Sequence, residues 1–309
     1  MSLIFHLFQN NYLPALVELW NASARDCHGF FPLTEEIFRQ HLFSRPSFSP
    51  EQLIVASYHG ATVGMLHYDL IDVNPYPYAG AIAALLVHPD YRDRGYAQAM
   101  LREALNRLRR HGVSCVDALG AWPYSSYYNG LIDGSERAGP DLRDSALLRI
   151  FEKAGFRRGR ESLIMRAPLP PGGDNSEIRL AVPENELVYC QSRDGKNTWL
   201  DQAFRYWQTY DHVLLNEQGQ PLAYAIYARM NGYCEYTGRE VYSVYGVNTP
   251  ERRQRQGFAT RNLRLMQARL AALGGQEMEV HVYTDNLPAL RLYRATGFEE
   301  IGKTVIMRR

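Results

Sequence analysis

The amino-acid sequence predicts two tandem α/β domains, each an α+β arrangement in which helices flank a mixed β-sheet. The length of 309 residues suits two ordinary domains. Repeated spacings indicate that one domain is a copy of the other, because Gly95 and Gly112 are 17 residues apart, as are Gly257 and Gly274. Within each copy, turn-linked strands precede strand–helix–strand units, the order typical of a mixed sheet covered by helices.

The repeat continues beyond these glycines and defines the domain boundaries. Gly155-Phe156 precedes Ile164-Met165-Arg166 at the same spacing that separates Gly297-Phe298 from Ile306-Met307-Arg308. Only the middle differs, because the first copy carries an insert near residues 121–141. We therefore predict an N-terminal domain over residues 1–167, a Pro- and Gly-rich linker over 168–175 and a C-terminal domain over 176–309.

The elements of the first copy follow from apolar periodicity and turn residues. Its expected strands are Ile4 to Leu7, Gln52 to Tyr58, Thr62 to Ile71, Gly80 to Val87, Ser114 to Leu119 and Ser162 to Arg166. Its expected helices are Leu13 to Trp20, Thr34 to Leu42, the stretch from Gly95 to Gly112, and Ser145 to Lys153. In the third of these, apolar residues recur at three- and four-residue steps, and Gly112 suits the helix end.

The second copy has the same order of elements. Its expected strands are Ile178 to Leu180, His212 to Asn216, Leu222 to Ala228, Val241 to Val247, Met278 to Tyr283 and Thr304 to Met307. Its expected helices are the stretch from Gly257 to Gly274 and Pro288 to Ala295.

Composition narrows the classes of function. A formal net charge of +1 gives no global field toward nucleic acid or a membrane, so neither is an expected partner. No run of about 18 apolar residues occurs and the N-terminus lacks a basic start before an apolar block, so we expect a cytoplasmic protein. Four scattered cysteines, without a CxxC pair or clustered histidines, argue against a disulfide framework or a metal site.

One loop in the first copy has the composition of a phosphate-binding turn. Residues 87–97 read VHPDYRDRGYA, where a strand ends, a turn follows and a helix begins at Gly95. Glycine allows close approach of a ligand, and the free N–H groups at a helix N-terminus bind phosphate. Arg92 and Arg94 add charge-assisted contacts. The loop is neither a P-loop nor a GxGxxG fingerprint.

These residues resemble the signature of the GNAT N-acetyltransferase superfamily: Gln or Arg, two residues, Gly, one residue, then Gly or Ala. Arg92, Gly95 and Ala97 match it in the first copy, and Gln254, Gly257 and Ala259 match it in the second. The resemblance implies that both loops hold the pyrophosphate of acetyl-CoA, with Val87 and Val247 ending the strands that bind its pantetheine arm. The residues so assigned to acetyl-CoA are Val87, Arg92, Asp93, Arg94, Gly95, Tyr96, Ala97, Val247, Gln254, Arg255, Gln256, Gly257, Phe258 and Ala259.

A second family element lies near the end of each copy. Asn286, Ala289, Leu292-Tyr293 and Gly297-Phe298 match it in the second copy, and we add Asn286 and Tyr293 to the acetyl-CoA site. The resemblance implies that Tyr293 donates a proton to the departing CoA thiolate; the alternative is a tyrosine that only packs against the sheet. The first copy has Asp144 and Phe151 at the corresponding positions, and a phenyl ring cannot donate a proton.

The proton acceptor is open at this point. An amine is mostly protonated at neutral pH, so a base or a desolvating site must help it attack a thioester. Glu240, near the start of the Val241 strand, is our candidate catalytic base, with His281 as another. The alternative for Glu240 is a solvated side chain at a strand end, and that for His281 is a packed or surface side chain.

The resemblance implies an acetyl-CoA-dependent N-acetyltransferase that releases CoA and acts on a primary amine of a small molecule or peptide. We expect catalysis in the C-terminal domain, because Tyr293 has no counterpart in the first copy. The alternatives are an acyl-CoA-binding sensor or partner module without turnover, and catalysis in the N-terminal domain with a tyrosine from its insert, Tyr127 or Tyr128. The insert itself is either a lid or a segment that packs. The expected oligomeric state is a monomer or a homodimer.

Overall fold

The structure is a computed structural model that describes residues 2–43, 45, 48–73, 76–120, 128–132, 134–136, 138–170, 185–193 and 208–309. The chain divides into two compact units, and the predicted fold class is confirmed in both. Unit 1 comprises Met1–Glu161 and Lys303–Arg309, and unit 2 comprises Ser162–Gly302. No helix in the ranges that the structure describes is both long and apolar enough to cross a membrane.

Unit 1 contains most of the first sequence copy. Its strands are β1 (Ile4–Leu7), β2 (Leu53–Tyr58), β3 (Ala61–Val73), β4 (Tyr76–Val87), β5 (Cys115–Ala118), the first part of β6 (Arg157–Pro168) and the last part of β12 (Glu299–Arg308). Its helices are α1 (Leu13–Ser23), α2 (Glu35–Phe38), α3 (Tyr96–Arg110) and α4 (Ser145–Lys153). Thr34 caps α2 by accepting a hydrogen bond from the backbone of Ile37, as its position before two glutamates suggests.

The sheet of unit 1 follows the order β1-β2-β3-β4-β5-β12-β6. β4 and β5 are parallel, whereas β1–β2, β2–β3, β3–β4 and β5–β12 are antiparallel pairs. Helix α3 buries its apolar stripe, Met100, Leu101, Ala104, Leu105 and Leu108, in the core on one face of this sheet. That core also holds Phe151 of α4.

Unit 2 repeats this arrangement. Its strands are the last part of β6, β7 (Glu186–Ser192), β8 (Thr209–Asn216), β9 (Pro221–Arg229), β10 (Val241–Asn248), β11 (Glu277–Tyr283) and the first part of β12. Its helices are α5 (Asn231–Thr237), α6 (Phe258–Ala272) and α7 (Leu287–Ala295). The strand order is β12-β6-β11-β10-β9-β8-β7. β10 and β11 are parallel, whereas β6–β11, β9–β10, β8–β9 and β7–β8 are antiparallel pairs.

The compact units differ from the sequence copies at their last strands. Residues from Ser162 to Pro168 of β6 pair with β11 in unit 2, although they belong to the first copy. Arg308 of β12 pairs with Asp117 of β5 in unit 1, although it belongs to the second copy. The repeat could not reveal this exchange, because two copies of one strand carry the same apolar pattern and fit either sheet. The predicted boundary at residue 168 therefore marks the sequence repeat, whereas the compact units divide at Glu161.

Other elements also differ from prediction. β6 begins at Arg157 and β12 at Glu299, earlier than predicted. The prediction missed the first residues of both strands because these residues are mostly exposed and show no apolar alternation. Strand β7 and the short helix α5 were not predicted. The strand predicted at residues 178–180 lies outside the described residues.

Candidate functional site

In each unit the two parallel strands separate partway along their length. In unit 1, β4 pairs with β5 from Ala79 to Ile82, and β4 then continues to Val87. In unit 2, β10 pairs with β11 from Val241 to Val244 and continues to Asn248. Beyond these points the facing backbone groups of the two strands have no ladder partner in each other, so they can bind an extended ligand.

A β-bulge lies at each separation point. Opposite β3, the register of β4 shifts between Ile82 and Ala84. Opposite β9, the register of β10 shifts between Tyr245 and Asn248. A bulge bends its strand and increases the local twist, which explains why the parallel neighbours diverge there.

The first loop forms an open helix N-terminus. After a short turn at Pro89–Tyr91, Asp93 and Gly95 adopt positive φ angles of 60° and 78°, and α3 begins at Tyr96. Among the described residues, no side chain caps this helix, and none beyond the two chain neighbours of Gly95 has an atom within 4 Å of a Cβ atom placed at this glycine. This geometry leaves the first N–H groups of α3 open to an anion, and phosphate binding at this loop remains a prediction.

The two arginines of this loop donate hydrogen bonds to nearby backbone carbonyl groups. Arg92 donates from Nη2 to the carbonyl oxygen of Ser23 at 2.9 Å and from Nε to that of Val87 at 3.4 Å. Arg94 donates to the carbonyl oxygen of Asp90 at 3.0 Å and stacks on the ring of Tyr91. These bonds shape the turn, and contacts from either arginine to phosphate remain a prediction.

A cavity of about 890 Å³ opens beside this loop in unit 1. The predicted acetyl-CoA residues Val87, Arg92, Asp93, Gly95, Tyr96 and Ala97 all line it, whereas Arg94 does not. Sequence reasoning missed a second group of lining residues, which comes from the end of α1 and from α4: Ser23, Asp26, Cys27, His28, Leu147 and Ile150. No motif marks them, because only the fold brings α1 next to the end of β4.

The second loop repeats two of the side-chain hydrogen bonds of the first. Gln254 donates to the carbonyl oxygen of Thr249 at 3.2 Å, as Arg92 does to that of Val87, and Gln256 donates to that of Arg252 at 3.1 Å. Arg255 and Gly257 have φ angles of 61° and 82°, matching Asp93 and Gly95. By this geometry the counterpart of Val87 is Thr249, two residues after the predicted Val247.

Helix α6 follows the second loop as α3 follows the first. Gly257 has no side-chain cap and open space at its Cβ position, so the N–H groups near Phe258 and Ala259 are exposed in the same way. A smaller cavity of about 440 Å³ nearby is lined by Gln220, Pro221, Pro250, Glu251, Arg252 and Arg253, none of which was assigned to acetyl-CoA.

Asn286 and Asp144 have the same structural role. The Oδ1 of Asn286 accepts from the backbone N–H of Ala289 at 3.3 Å, and that of Asp144 accepts from Leu147 at 2.9 Å. Each therefore caps its helix. The exchange of asparagine for aspartate between the copies does not by itself distinguish their functions.

Tyr293 occupies the position that Phe151 occupies in unit 1. Its ring lies 5.5 Å from that of Phe298, as the ring of Phe151 lies 5.0 Å from that of Phe156. Both rings are buried in the core beneath the sheet. The two units differ here only by a hydroxyl group, and the role of Tyr293 as an acid remains a prediction.

Glu240 lies before the first residue of β10 and forms a two-point ion pair with Arg229, at 2.6 and 2.7 Å. The hydrogen bonds from Arg229 hold the pKa of the Glu240 carboxyl below its usual range. A carboxylate with a lowered pKa is a weaker proton acceptor. Glu240 remains a predicted base, but its surroundings do not favour that role.

His281 lies one residue past the last β10–β11 pair, where the strands separate. Its Nε2 lies 3.3 Å from Oε1 of Glu279, and both side chains are buried. Glu279 also accepts from Nε of Arg166 at 2.8 Å. The corresponding residues of unit 1 are Leu119 and Asp117, so unit 1 keeps the carboxylate and lacks the histidine.

The described part of the insert packs within unit 1. Tyr128 is fully buried, its hydroxyl lies 3.2 Å from Nδ1 of His67, and its ring stacks on Trp20. Ile132 lines the unit 1 cavity. Tyr127, the other tyrosine considered as an acid for this unit, lies outside the described residues.

The fold and the loops, repeated in both units, are those of a tandem protein of the acetyltransferase class. The chain belongs to the Acetyltransferase (GNAT) family, whose family model matches residues 13–124 and 184–298. Proteins of this family bind acetyl-CoA or CoA. The matches in both halves confirm the tandem resemblance predicted from the sequence and support an acetyltransferase.

Individual relatives agree with the tandem arrangement. The chain is 25% identical over 282 residues to a mycothiol acetyltransferase of Saccharomonospora viridis, covering 83% of each chain. Its fold resembles a tandem GNAT protein from the clavulanic acid biosynthesis pathway, with a TM-score of 0.70, 15% identity and coverage of 100% and 98%. It also resembles a GCN5-related N-acetyltransferase from Sphaerobacter thermophilus, with a TM-score of 0.63, 16% identity and coverage of 99% and 95%.

Proposed function

We propose that this protein is an acetyl-CoA-dependent N-acetyltransferase that acts on a primary amine of a small molecule or peptide. The observation that carries the proposal is the combination, in each unit, of separating parallel strands with an uncapped helix N-terminus beside them. The relative named mycothiol acetyltransferase supports acetyl transfer to a small molecule.

Backbone N–H groups of the chain bind acetyl-CoA and stabilise the transition state. The first N–H groups of the helix after Gly95 or Gly257 bind the pyrophosphate of acetyl-CoA. Unpaired backbone N–H groups past the separation point hold the thioester carbonyl and stabilise the oxyanion that forms there. The acceptor amine attacks the carbonyl carbon, the C–S bond breaks, and the departing thiolate takes up a proton.

We place the chemistry in unit 2. Tyr293 supplies a hydroxyl group where unit 1 has the phenyl ring of Phe151. His281 and Ser243 add polar groups around the separation point, where unit 1 has Leu119 and Ala81. At each of these three positions, unit 2 has the polar side chain and unit 1 has an apolar one.

A second candidate places the chemistry in unit 1, and the cavity of about 890 Å³ favours it. Binding of acyl-CoA there without turnover is the remaining alternative, in which unit 1 acts as a sensor or scaffold. The two candidates share one substrate, so binding of CoA alone does not separate them.

The test is release of free CoA from acetyl-CoA in the presence of a panel of primary amines: aminosugars, polyamines, aminothiols and short peptides. Amine-dependent release, with the acetylated amine identified by mass spectrometry, is the expected result. Tight binding of CoA with no amine-dependent release across the panel would overturn the proposed enzyme activity and favour a binding module.

A further inference from the structure

We propose that His281 is the proton acceptor for the amine and that Glu279 positions it, in the unit 2 site. This inference rests on the proposed function and names a catalytic residue for it. It starts from the position of His281, which follows Val280, the last residue of β11 that pairs with β10. The side chain therefore emerges at the point where the two strands open.

The alternation of side chains in β11 separates the two proposed proton-transfer groups. Val280 and Val282 face the core that contains Tyr293 and α6. His281, between them, faces the opposite side of the sheet, together with Glu279. A base on one face and an acid on the other suit an amine that approaches a thioester from the side away from the CoA sulfur.

The geometry determines which nitrogen of His281 can accept a proton. Nε2 lies 3.3 Å from Oε1 of Glu279, and a carboxylate only accepts hydrogen bonds, so Nε2 carries the hydrogen. Nδ1 then carries the lone pair. This atom is buried and has no hydrogen-bond partner in the described parts of the chain. Buried polar atoms are normally paired, so an orphaned acceptor at the strand opening indicates a missing partner.

Glu279 is held rigidly enough to orient the imidazole. Arg166 donates from Nε to Oε2 of Glu279 at 2.8 Å and from Nη1 to Glu277 and to the hydroxyl of Tyr233, both at 3.2 Å. Arg239 pairs with Glu277 at 2.7 Å. A carboxylate fixed in this way keeps His281 in one tautomer and stabilises the imidazolium that forms on protonation.

Two more orphaned atoms lie on the same face. The Oγ of Ser243 and Nη2 of Arg166 are buried and have no partner among the described residues. Ser243 is the register partner of Glu279 across β10, and Arg166 is its partner across β6. The Ser243 hydroxyl, the Arg166 N–H and the His281 nitrogen together form a polar recess around the Glu279 carboxylate. Unit 1 keeps a carboxylate, Asp117, but has apolar Ala81 and Leu119 in place of Ser243 and His281.

The protons and bonds of the acetyl transfer balance as follows in the proposed site. An ammonium acceptor gives one proton to Nδ1 of His281, and its freed lone pair forms the N–C bond to the thioester carbonyl. Collapse of the adduct breaks the C–S bond, and Tyr293 gives its hydroxyl proton to the departing thiolate. The second amine proton passes to solvent, and the Tyr293 phenolate takes up one proton from solvent. His281 returns its proton to solvent, so each turnover yields one amide, one CoA thiol and one proton.

The experiment compares His281→Gln with wild type on two acceptors: the best amine of the panel, and a fluorinated analogue of it that is largely neutral at the assay pH. Loss of a general base lowers kcat by about 100-fold or more for the ammonium acceptor. The neutral analogue needs no deprotonation before attack, so its kcat should fall much less. Glu279→Gln should show the same pattern more weakly, with little change in KM.

Controls separate a catalytic role from a structural one. Lys303→Gln removes a partly exposed partner of Glu161, outside the network around Glu279, and should keep wild-type kcat on both acceptors. Glu240→Gln tests the rival base. Thermal melting and CoA titration establish folding, and if His281→Gln is unfolded, His281→Asn replaces it. Should both fail to fold, His281→Gly assayed with added imidazole decides by rescue or its absence.

The outcomes distinguish this inference from the function on which it rests. Equal losses on both acceptors, no loss, no rescue by imidazole, or a larger selective loss in Glu240→Gln would overturn the role of His281 while leaving the acetyltransferase intact. Absence of amine-dependent CoA release by the wild-type chain would instead overturn the proposed function itself.

Discussion

Arg308 and Asp117 form a two-point ion pair across 191 residues of sequence, with Nε–Oδ1 at 2.7 Å and Nη2–Oδ2 at 2.9 Å. Arg166 and Glu279 form the corresponding pair in unit 2. In each unit the arginine comes from the strand of the other sequence copy. The two units therefore share one design, a carboxylate on the parallel strand held by an exchanged arginine, and neither is completed by its own copy alone.

The first prediction concerns the stability of unit 1. Arg308→Met leaves the buried carboxylate of Asp117 without its ionic partner, so we expect a loss on the order of 2 kcal/mol, below that of fully buried pairs because Arg308 is half exposed. Hydrogen exchange of residues 115–118 and urea denaturation measure it. Arg158→Met, which breaks an exposed pair with Glu152, should cost nearly nothing. A double Arg308→Met, Asp117→Leu variant no more stable than the single variant would contradict the explanation.

The second prediction assigns CoA binding to the loops. Gly95→Asp and Gly257→Asp place a carboxylate at equivalent helix N-termini, where φ is 78° and 82° and neither Cβ atom meets a neighbour. Aspartate tolerates this backbone region better than most residues. Repulsion between the carboxylate and pyrophosphate should weaken CoA binding to the altered unit by at least about tenfold, as measured by calorimetry.

The matched variants Gly95→Asn and Gly257→Asn change shape without charge and should bind CoA more tightly than the aspartate variants. The unit whose aspartate variant also abolishes amine-dependent CoA release contains the catalytic site. We expect this to be unit 2. Loss of turnover from Gly95→Asp alone would move the chemistry to the cavity of unit 1.

The third prediction concerns Tyr293. Tyr293→Phe removes one hydroxyl group and keeps a ring that Phe151 already shows to fit this position, so the melting temperature should change little. If the hydroxyl protonates the departing thiolate, kcat should fall by about 100-fold. Steady-state kinetics with acetyl-CoA check it. Unchanged kcat would leave Tyr293 a packing residue, and Tyr128→Phe provides the comparison for unit 1.

The fourth prediction concerns acid stability. Burial is the largest cause that lowers the pKa of His212 to about 4, although its hydrogen bond to Asn262 acts in the opposite direction. His212 of the unfolded chain then takes up a proton near pH 6.5, whereas His212 of the folded chain stays neutral down to about pH 4. The free energy of unfolding therefore decreases as the pH falls from about 6.5 to about 4. The loss is at most about 3 kcal/mol.

A His212→Leu, Asn262→Leu variant replaces both partners and should flatten this part of the curve of melting temperature against pH. Some slope should remain, because burial also lowers the pKa of His67 to about 3 in unit 1. The exposed His59→Gln variant serves as the control and should follow wild type. A steeper slope in the double variant would be incompatible with a neutral buried His212.

Much of the site could be predicted from local patterns. The loops at Gly95 and Gly257 need positive φ angles and an exposed helix start, and these depend on residues adjacent in sequence. The caps of α4 and α7 are local in the same way. The dyad of His281 with Glu279 was missed, because a lone histidine in a strand gives no sign of whether its neighbour two residues away is fixed by an arginine far along the chain.

The amino-acid sequence alone was sufficient to show a duplicated GNAT protein with the same loop and helix start in each copy, because the repeat and the helix start depend on residues adjacent in sequence. Three features became visible only in the folded chain: the strand that completes each unit, the loop beside the large cavity, and the arginine that pairs with each carboxylate. These features depend on pairing between segments that are distant in sequence. Two strands with the same apolar pattern fit the same sheet edge equally well, so the pairing depends on the packing of the whole unit.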